Sequence, residues 1–200
     1  MYAAQPSFVL AFHGCDESLK AKLLSGEKKL EPSKNDYDWL GHGIYFWEND
    51  PKRAFEYAES LVNNPVRANL KIETPAVIGA VIDFKRCLNL FDRDALLLVK
   101  NAYDVLVSVN KLFGDPMPQN KKVKGNENDL LLRNLDCAVI NTLHEMLEQG
   151  DEIHYDSVRA PFWEGDELYP NAGFREKNHI QICIRNPKCI KGYFDPILEN

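Results

Sequence analysis

Three short segments of the sequence carry side chains whose types could do chemistry. The first is an apolar run that ends in His13-Gly14, the second is a Gly-x-Gly run that leads into Tyr45, and the third holds His179 and Gln181 at alternate positions. A neutral histidine can accept a proton, a tyrosine ring can stack on a flat ligand, and a glutamine can hydrogen-bond without acting as a base. Each segment alone is also compatible with a structural role.

The elements that must position these side chains follow from local patterns. The apolar run 8–12 indicates a buried strand, Asp16 can cap a helix to about Leu24, and Gly26 can stop it. Asp50-Pro51 begins a helix to about Val62, which carries Tyr57. Further strands are predicted at 44–47, 76–84, 157–159, 180–184 and 190–194, and further helices at 94–112 and 135–147, the second ended by Gly150.

Two connections stand out by composition. Residues 114–128 are rich in Gly, Pro, Asn and Lys, which favours an exposed connection. Residues 162–176 form a loop rich in Gly, Pro, Trp and acidic residues, and loops of this length usually bind something.

The order and spacing of the three segments resemble the ADP-ribosyltransferase superfamily, in the diphtheria-toxin and poly-ADP-ribose-polymerase branch with its His-Tyr-Glu signature. His13-Gly14 resembles the first motif of that branch. Residues 41–46 are similar to its Gly-Lys-Gly-Ile-Tyr-Phe, with His42 in place of the lysine, and residues 181–187 are similar to its Glu-Tyr-Ile-Val-Tyr-Asp-Pro.

The resemblance implies a role for each matching residue, with NAD as the co-substrate. His13 would bond a ribose hydroxyl, and the backbone of Gly14 would hold the amide of the nicotinamide. Tyr45 and Tyr57 resemble the two tyrosines that sandwich the nicotinamide ring, and Ser157 falls in a serine-valine motif before the last catalytic strand. No metal is expected.

The fold that the resemblance implies is α+β, with a split antiparallel β-core of the ADP-ribosyltransferase type. Two facing antiparallel sheets would enclose the NAD cleft. The resemblance covers residues 8–62 and 154–194, so the helical stretch at about 92–150 is interpreted as an insertion in a single domain spanning 1–200.

Gln181 departs from the family pattern, which has glutamate at this position. Glutamine keeps the hydrogen bond to a ribose hydroxyl but loses the charge, so we expect mono-transfer rather than growth of a poly-ADP-ribose chain. His179 shares a strand face with Gln181 and could deprotonate an incoming amine or hydroxyl. Glu164, Glu167 and Glu176 in the preceding loop are alternatives that the sequence does not rank.

The expected reaction transfers ADP-ribose from NAD to a macromolecular acceptor and releases nicotinamide. Protein side chains and nucleic-acid bases both stay open as acceptors, because the net charge of -6 favours protein and the lysines at 121, 122 and 124 favour nucleic acid. A compact enzyme of this kind resembles an intracellular toxin or a phage-defence effector, and a neutralising antitoxin protein would then be its partner.

Two rival functions remain. An NAD-dependent RNA 2′-phosphotransferase shares the fold but needs cationic side chains aimed at a phosphate, a task for Arg159 or His42. A degenerate transferase would bind NAD or a nucleotide without turnover, and Gln181 favours this alternative.

Composition bounds the cellular setting. The five cysteines include no CxxC pair, which indicates reduced thiols rather than a zinc ribbon or a disulfide framework. The N-terminal residues lack the basic and apolar regions of a signal peptide, and no apolar run approaches the roughly 20 residues that span a bilayer. We therefore expect a cytoplasmic protein with no membrane contact.

Overall fold

The computed structural model describes residues 8–63, 72–123, 129–150 and 153–197. In these ranges the chain forms four α-helices, α1 (Glu17–Leu24), α2 (Pro51–Asn63), α3 (Arg93–Phe113) and α4 (Asn134–Gln149), and a 3-10 helix at Pro187–Cys189. The strands in the same ranges are β1 (Val9–Asp16), β2 (Ile44–Glu48), β3 (Pro75–Ile82), β4 (Cys87–Asn89), β5 (Asn120–Lys121), β6 (Leu132–Arg133), β7 (Ser157–Phe162), β8 (His179–Ile184) and β9 (Ile190–Phe194).

Seven of these strands form one sheet in the order β4-β7-β8-β2-β1-β3-β9. All neighbours are antiparallel except β4 and β7, which run parallel. The predicted α+β fold class is confirmed. The expectation of two separate facing sheets is wrong for the described residues, because these seven strands are hydrogen-bonded into one sheet. We treat β4, β7, β8 and β2 as one half of this sheet, and β1, β3 and β9 as the other.

The junction of the two halves is narrow. β1 pairs with β3 along its whole length, from Val9 to Asp16. Its ladder with β2 pairs only Ala11 with Glu48 and Phe12 with Trp47. Beyond Phe12 the ladder stops, and we call the gap between β1 and β2 from there onward the split.

Each face of the sheet carries its own core. One face buries Ala11, Ile44, Phe46, Ile78 and Ile182 together with Leu23 of α1. The opposite face packs Phe12 and Trp47 against Ala54 of α2, and Leu88 and Val158 against α3 and α4. All five cysteines are unpaired, as the sequence predicts, and the structure shows that all five are also buried.

The helix starts follow the predicted capping residues. The carboxylate of Asp16 accepts a hydrogen bond from Ser18 N at 2.9 Å, and that of Asp50 accepts one from Arg53 N at 2.8 Å. Gly26 follows α1 with a positive φ of 78°, a conformation that glycine adopts without strain. These caps fix the residues at which α1 and α2 begin, directly after β1 and shortly after β2.

The stretch at about 92–150 is helical, as expected, with α3 and α4 packed on each other and on the sheet through Ala102, Ile140 and Leu143. Its interpretation as an insertion stays a prediction. Within the expected open connection 114–128 lies β5, which pairs antiparallel with β6 beyond it. Residues 124–128, with Lys124, lie outside the described residues. In the part of the chain that the structure describes, no helix is long and apolar enough to cross a membrane.

Candidate functional site

The three chemistry-bearing segments lie on adjacent strands, because β1, β2 and β8 are neighbours in the sheet. Trp47 of β2 pairs with Phe12 of β1 on one side and with Gln181 of β8 on the other. Residues directly opposite each other in antiparallel strands point to the same face. Phe12, Trp47 and Gln181 therefore form one row of side chains beneath α2.

Five residues around this row form what we call the Trp47 cluster: Trp47, Arg53, Glu164, His179 and Gln181. The guanidinium of Arg53 lies 5.7 Å from the centroid of the Trp47 ring, and the His179 ring centroid lies 6.4 Å from it. Arg53 Nη2 donates to both carboxylate oxygens of Glu164 at 2.7 Å. Helix α2, the β7–β8 loop and strands β2 and β8 thus meet at one place.

Buried polar atoms without partners mark this cluster. Within the described ranges, Trp47 Nε1, Arg53 Nε, His179 Nε2 and Gln181 Oε1 are buried and make no hydrogen bond. Leaving a buried donor or acceptor unsatisfied costs about 1–3 kcal/mol. Such a concentration of unmet groups is typical of a place where a ligand supplies the missing partners.

His179 has a defined proton position. Its Nδ1 lies 2.8 Å from the carbonyl oxygen of Lys177, which can only accept, so we assign the proton to Nδ1. Burial is the main cause that lowers the pKa of His179, and the neutral ring is favoured. In that form Nε2 carries a lone pair, as a base requires.

Tyr57 borders the cluster. Its ring centroid lies 5.0 Å from that of Trp47, and 40% of the residue is exposed. Since Trp47 lies inside and Tyr57 at the rim, the two rings provide an aromatic edge to the cluster. The predicted stacking of Tyr57 on a ligand stays a prediction.

His13 lies at the mouth of the split. Its Nδ1 donates to the backbone oxygen of Tyr45 at 2.8 Å, and its ring centroid lies 5.7 Å from that of Phe46. The imidazole therefore bridges the two strands where their ladder has ended. Burial lowers the pKa of His13, and Nε2 is the nitrogen left to accept a hydrogen bond.

His13 and Gln181 are not side by side. His13 is one residue beyond Phe12, so it alternates away from the row that contains Trp47 and Gln181. A ligand on one face of the sheet would meet only one of them. A ligand that enters the split itself could meet both.

The backbone of Gly14 faces the split. Leu10 O accepts from Asn49 N at 3.0 Å on the β2 side of β1, and strand residues two apart direct their backbone groups to the same edge. Gly14 therefore points its N–H and C=O toward β2, beyond the last ladder pair. A Cβ here would lie 2.1 Å from the backbone oxygen of Ala54, so α2 can pack this closely only on a glycine.

The hydroxyl of Tyr45 is hydrogen-bonded to the backbone of the turn that precedes β2. Its hydroxyl donates to Gly41 O at 2.6 Å and accepts from Leu40 N at 2.8 Å. Desolvation by burial raises the pKa of Tyr45 well above its ordinary value. The side chain holds the turn before β2, and its predicted stacking on nicotinamide stays a prediction.

Ser157 does not join the Trp47 cluster. It is fully buried, and its hydroxyl donates to the backbone oxygen of Phe84 at 2.8 Å. It pairs with Ile184, three residues along β8 from Gln181. The structure gives Ser157 a role in joining β7 to the end of β3, and its predicted contact with NAD gains no support.

The structure ranks the three loop glutamates that the sequence leaves equal. Glu164 is buried in the Trp47 cluster, 3.8 Å from His179 Nδ1. Glu176 is exposed, and the Glu167 carboxylate accepts from Asn171 N within its own loop. Arg53 is the residue that the sequence analysis missed, and its place one turn into the helix capped by Asp50 is the signal that could have found it.

Comparison with known proteins places the chain near an uncharacterised archaeal protein. It is 28% identical over 196 residues to the uncharacterised protein MJ0359 of Methanocaldococcus jannaschii, an alignment that covers 90% of this chain and 83% of the relative. No protein-family model matches the chain. No solved structure matches it.

Proposed function

We propose that the chain is a mono-ADP-ribosyltransferase, which transfers ADP-ribose from NAD to a macromolecular acceptor and releases nicotinamide. The observation that carries the proposal is that β1, β2 and β8 are neighbours in the sheet. Beside them lies the Trp47 cluster, whose buried polar atoms lack partners within the described ranges. The sequence resemblance names these same three segments as the ones that hold NAD.

NAD enters the split, with the nicotinamide riboside beside His13 and Gly14. His13 Nε2 accepts from a ribose hydroxyl, and the backbone of Gly14 bonds the nicotinamide amide. Gln181 Oε1 accepts from another ribose hydroxyl, and the rings of Tyr45 and Tyr57 border the nicotinamide. This placement is supported by the unpartnered Gln181 Oε1 and by the direction of the Gly14 backbone.

The chemistry is cleavage of the bond between nicotinamide and ribose. Positive charge builds on the ribose as this bond breaks, as it does in glycoside hydrolysis. Holding the ribose hydroxyls and the amide in fixed positions can supply several kcal/mol of the barrier. His179 Nε2 accepts the proton of the incoming acceptor, since it is the lone-pair nitrogen of a neutral ring.

The biological setting belongs to the same proposal. A protein side chain or a nucleic-acid base accepts the ADP-ribose, in the cytoplasm, and the enzyme acts as a toxin or a phage-defence effector with a neutralising protein as partner. Gln181 has no charge to activate a second ribose, which supports single transfer over chain growth.

The test is to incubate the purified protein with labelled NAD and a cell lysate, and to follow nicotinamide release and the location of the label. Transfer puts the label on protein or nucleic acid, and protease or nuclease treatment then identifies the acceptor. Nicotinamide release with no labelled macromolecule would mean NAD hydrolysis instead.

A pair of histidine variants makes the test specific. His13→Ala removes the imidazole at the split, and we expect a loss of about 100-fold or more in nicotinamide release. His154→Ala removes an exposed histidine and should leave the rate unchanged. Equal rates for both variants would place the reaction elsewhere.

Gln181 supports a second candidate, an NAD-binding module without turnover, because an uncharged residue stands where the family has its catalytic glutamate. Binding of NAD without nicotinamide release would favour it. The RNA 2′-phosphotransferase has less support, since Arg159 is held by both carboxylate oxygens of Glu48 and is not open to a phosphate.

A further inference from the structure

We propose that Glu164 is a positioning carboxylate for His179, held in place by Arg53, and that it stabilises the imidazolium that forms when His179 Nε2 takes a proton from the acceptor. The inference rests on the proposed transferase function and adds the charged group that Gln181 does not provide.

Glu164 and His179 are buried close to each other. Both residues are at least nine-tenths buried, with relative exposures of 6% and 8%. Glu164 Oε2 lies 3.8 Å from His179 Nδ1, too far for a hydrogen bond but close enough for a strong charge interaction at a site with little water. The hydrogen bond to Lys177 O orients the imidazole of His179, and the negative charge of Glu164 stabilises the ring when it is protonated.

Arg53 holds the Glu164 carboxylate in place. Arg53 Nη2 donates to both oxygens of Glu164 at 2.7 Å, and Arg53 N is itself held by the Asp50 carboxylate at 2.8 Å. The carboxylate is therefore fixed by the first turn of α2, although it belongs to the β7–β8 loop. Burial is the main cause that lowers the pKa of His179, and Arg53 acts in the same direction, whereas Glu164 raises this pKa and so limits the cost of protonating the ring.

Every element packed against His179 contributes its charges to this balance. The β2–α2 junction brings Asp50, α2 brings Arg53, and the loop brings Glu164. The rings of Trp39 and Phe162 have their centroids 6.0 and 5.7 Å from that of His179. The same two rings contact the Arg133 guanidinium, at 4.1 and 4.8 Å from their centroids. Glu164 is the carboxylate within 4 Å of the imidazole in the described part of the chain.

The transfer breaks one bond to the ribose and forms another at the same carbon. The glycosidic bond between ribose and nicotinamide breaks, and its electron pair leaves with the nicotinamide nitrogen. The acceptor's nitrogen or oxygen forms a bond to the same ribose carbon and gives its proton to His179 Nε2. The imidazolium then loses this proton to solvent, and Glu164 keeps its charge throughout.

The first experiment measures the pKa of His179 by NMR of isotopically labelled histidine, without NAD. Glu164→Gln removes the charge and keeps the shape, and we expect the pKa of His179 to fall by about one unit. Glu176→Gln removes an exposed charge from the same loop and should leave this pKa in place. Glu164→Asp keeps the charge and should retain most of the wild-type value, which separates the charge from any change in packing.

The second experiment measures turnover. Glu164→Gln should lower kcat about ten-fold, the equivalent of one pKa unit, with the KM for NAD unchanged. Glu164→Asp should recover most of that loss. If wild type releases no nicotinamide while the pKa shift is present, the pairing stands and the transferase proposal falls. If Glu164→Gln leaves the pKa of His179 unchanged, or if Glu176→Gln moves it equally, the inference is wrong whatever the turnover.

Discussion

Two ion pairs with mostly buried side chains occupy opposite faces of the same sheet and differ in their surroundings. Arg159 donates to Glu48 through Nε at 2.5 Å and Nη2 at 2.9 Å, and its guanidinium lies 4.6 Å from the Phe91 ring centroid. Arg53 binds Glu164 with equal closeness, but its Nε is buried and has no partner among the described residues. We call the Arg159–Glu48 pair the closed pair, because Arg159 donates to both carboxylate oxygens of Glu48 through two different nitrogens.

From this difference we infer that the Arg159–Glu48 pair serves the fold and that the Arg53–Glu164 pair belongs to the proposed site. Arg159 and Glu48 tie β7 to β2 across β8, and the contact uses two of the guanidinium nitrogens. Arg53 and Glu164 stand among Trp47, His179 and Gln181, each of which has an unmet polar atom within the described ranges. Folded proteins keep such costs mainly where a ligand repays them.

Breaking the closed pair should have the largest effect on stability. Glu48→Gln leaves the partly buried Arg159 without a full counter-charge, and we expect the free energy of unfolding to fall by about 2–3 kcal/mol. Urea denaturation measures it, with Glu59→Gln on the exposed side of α2 as the control. A loss no larger than that of the control would mean that this pair does not hold the sheet.

Acid should destabilise the fold through His144, a buried histidine outside the proposed site. Burial is the main cause that lowers the pKa of His144 to about 3, from an ordinary 6.5, and the charges of Arg185 and His154 lower it further. Between pH 3 and pH 6.5 His144 therefore binds a proton in the unfolded chain but not in the folded chain. The stability that the neutral ring contributes is full above pH 6.5 and falls as the pH drops toward 3. One such histidine costs about 2 kcal/mol at pH 5.

Urea denaturation of wild type and His144→Leu at pH 7 and pH 5 measures this term. The pKa values of His13 and His179 are also lowered, and they act in the same direction in both proteins. The difference between the two proteins isolates His144, and wild type should lose about 2 kcal/mol more on acidification than the variant. Equal losses would contradict the lowered pKa.

The smallest expected change in stability has the opposite sign. Gln181→Met keeps the volume and removes the unpartnered buried oxygen, so the fold should gain about 1 kcal/mol. The same variant should lose nicotinamide release. A gain in stability together with a loss of turnover is the outcome that marks Gln181 as a site residue, and a loss of both would make it a structural one.

The sequence predicted the elements more completely than their meeting point. Asp16 and Asp50 carry the helix caps in their side chains, so α1 and α2 could be placed within a residue or two. β4 was missed because its three residues form a strand only by pairing with β7, far along the chain. β7 runs on to Phe162 for the same reason, since its partner there is His179.

The candidate site divides along the same line. His179 and Gln181 share a face because they are two residues apart on a strand, which sequence spacing determines. Arg53 and Glu164 come together only because α2 and the β7–β8 loop cover the same face, so no local pattern could pair them. The offset between His13 and Gln181 depends on the register of β1 with β2, which spacing along the chain does not encode.

The five histidines offer the most direct test of the central claim, that NAD binds where β1, β2 and β8 meet. NMR of isotopically labelled histidine, recorded with and without a non-cleavable NAD analogue, follows each imidazole separately. The account predicts that the signals of His13 and His179 shift on binding, while those of buried His144 and exposed His154 stay in place. Saturating analogue that leaves both His13 and His179 unmoved would contradict it.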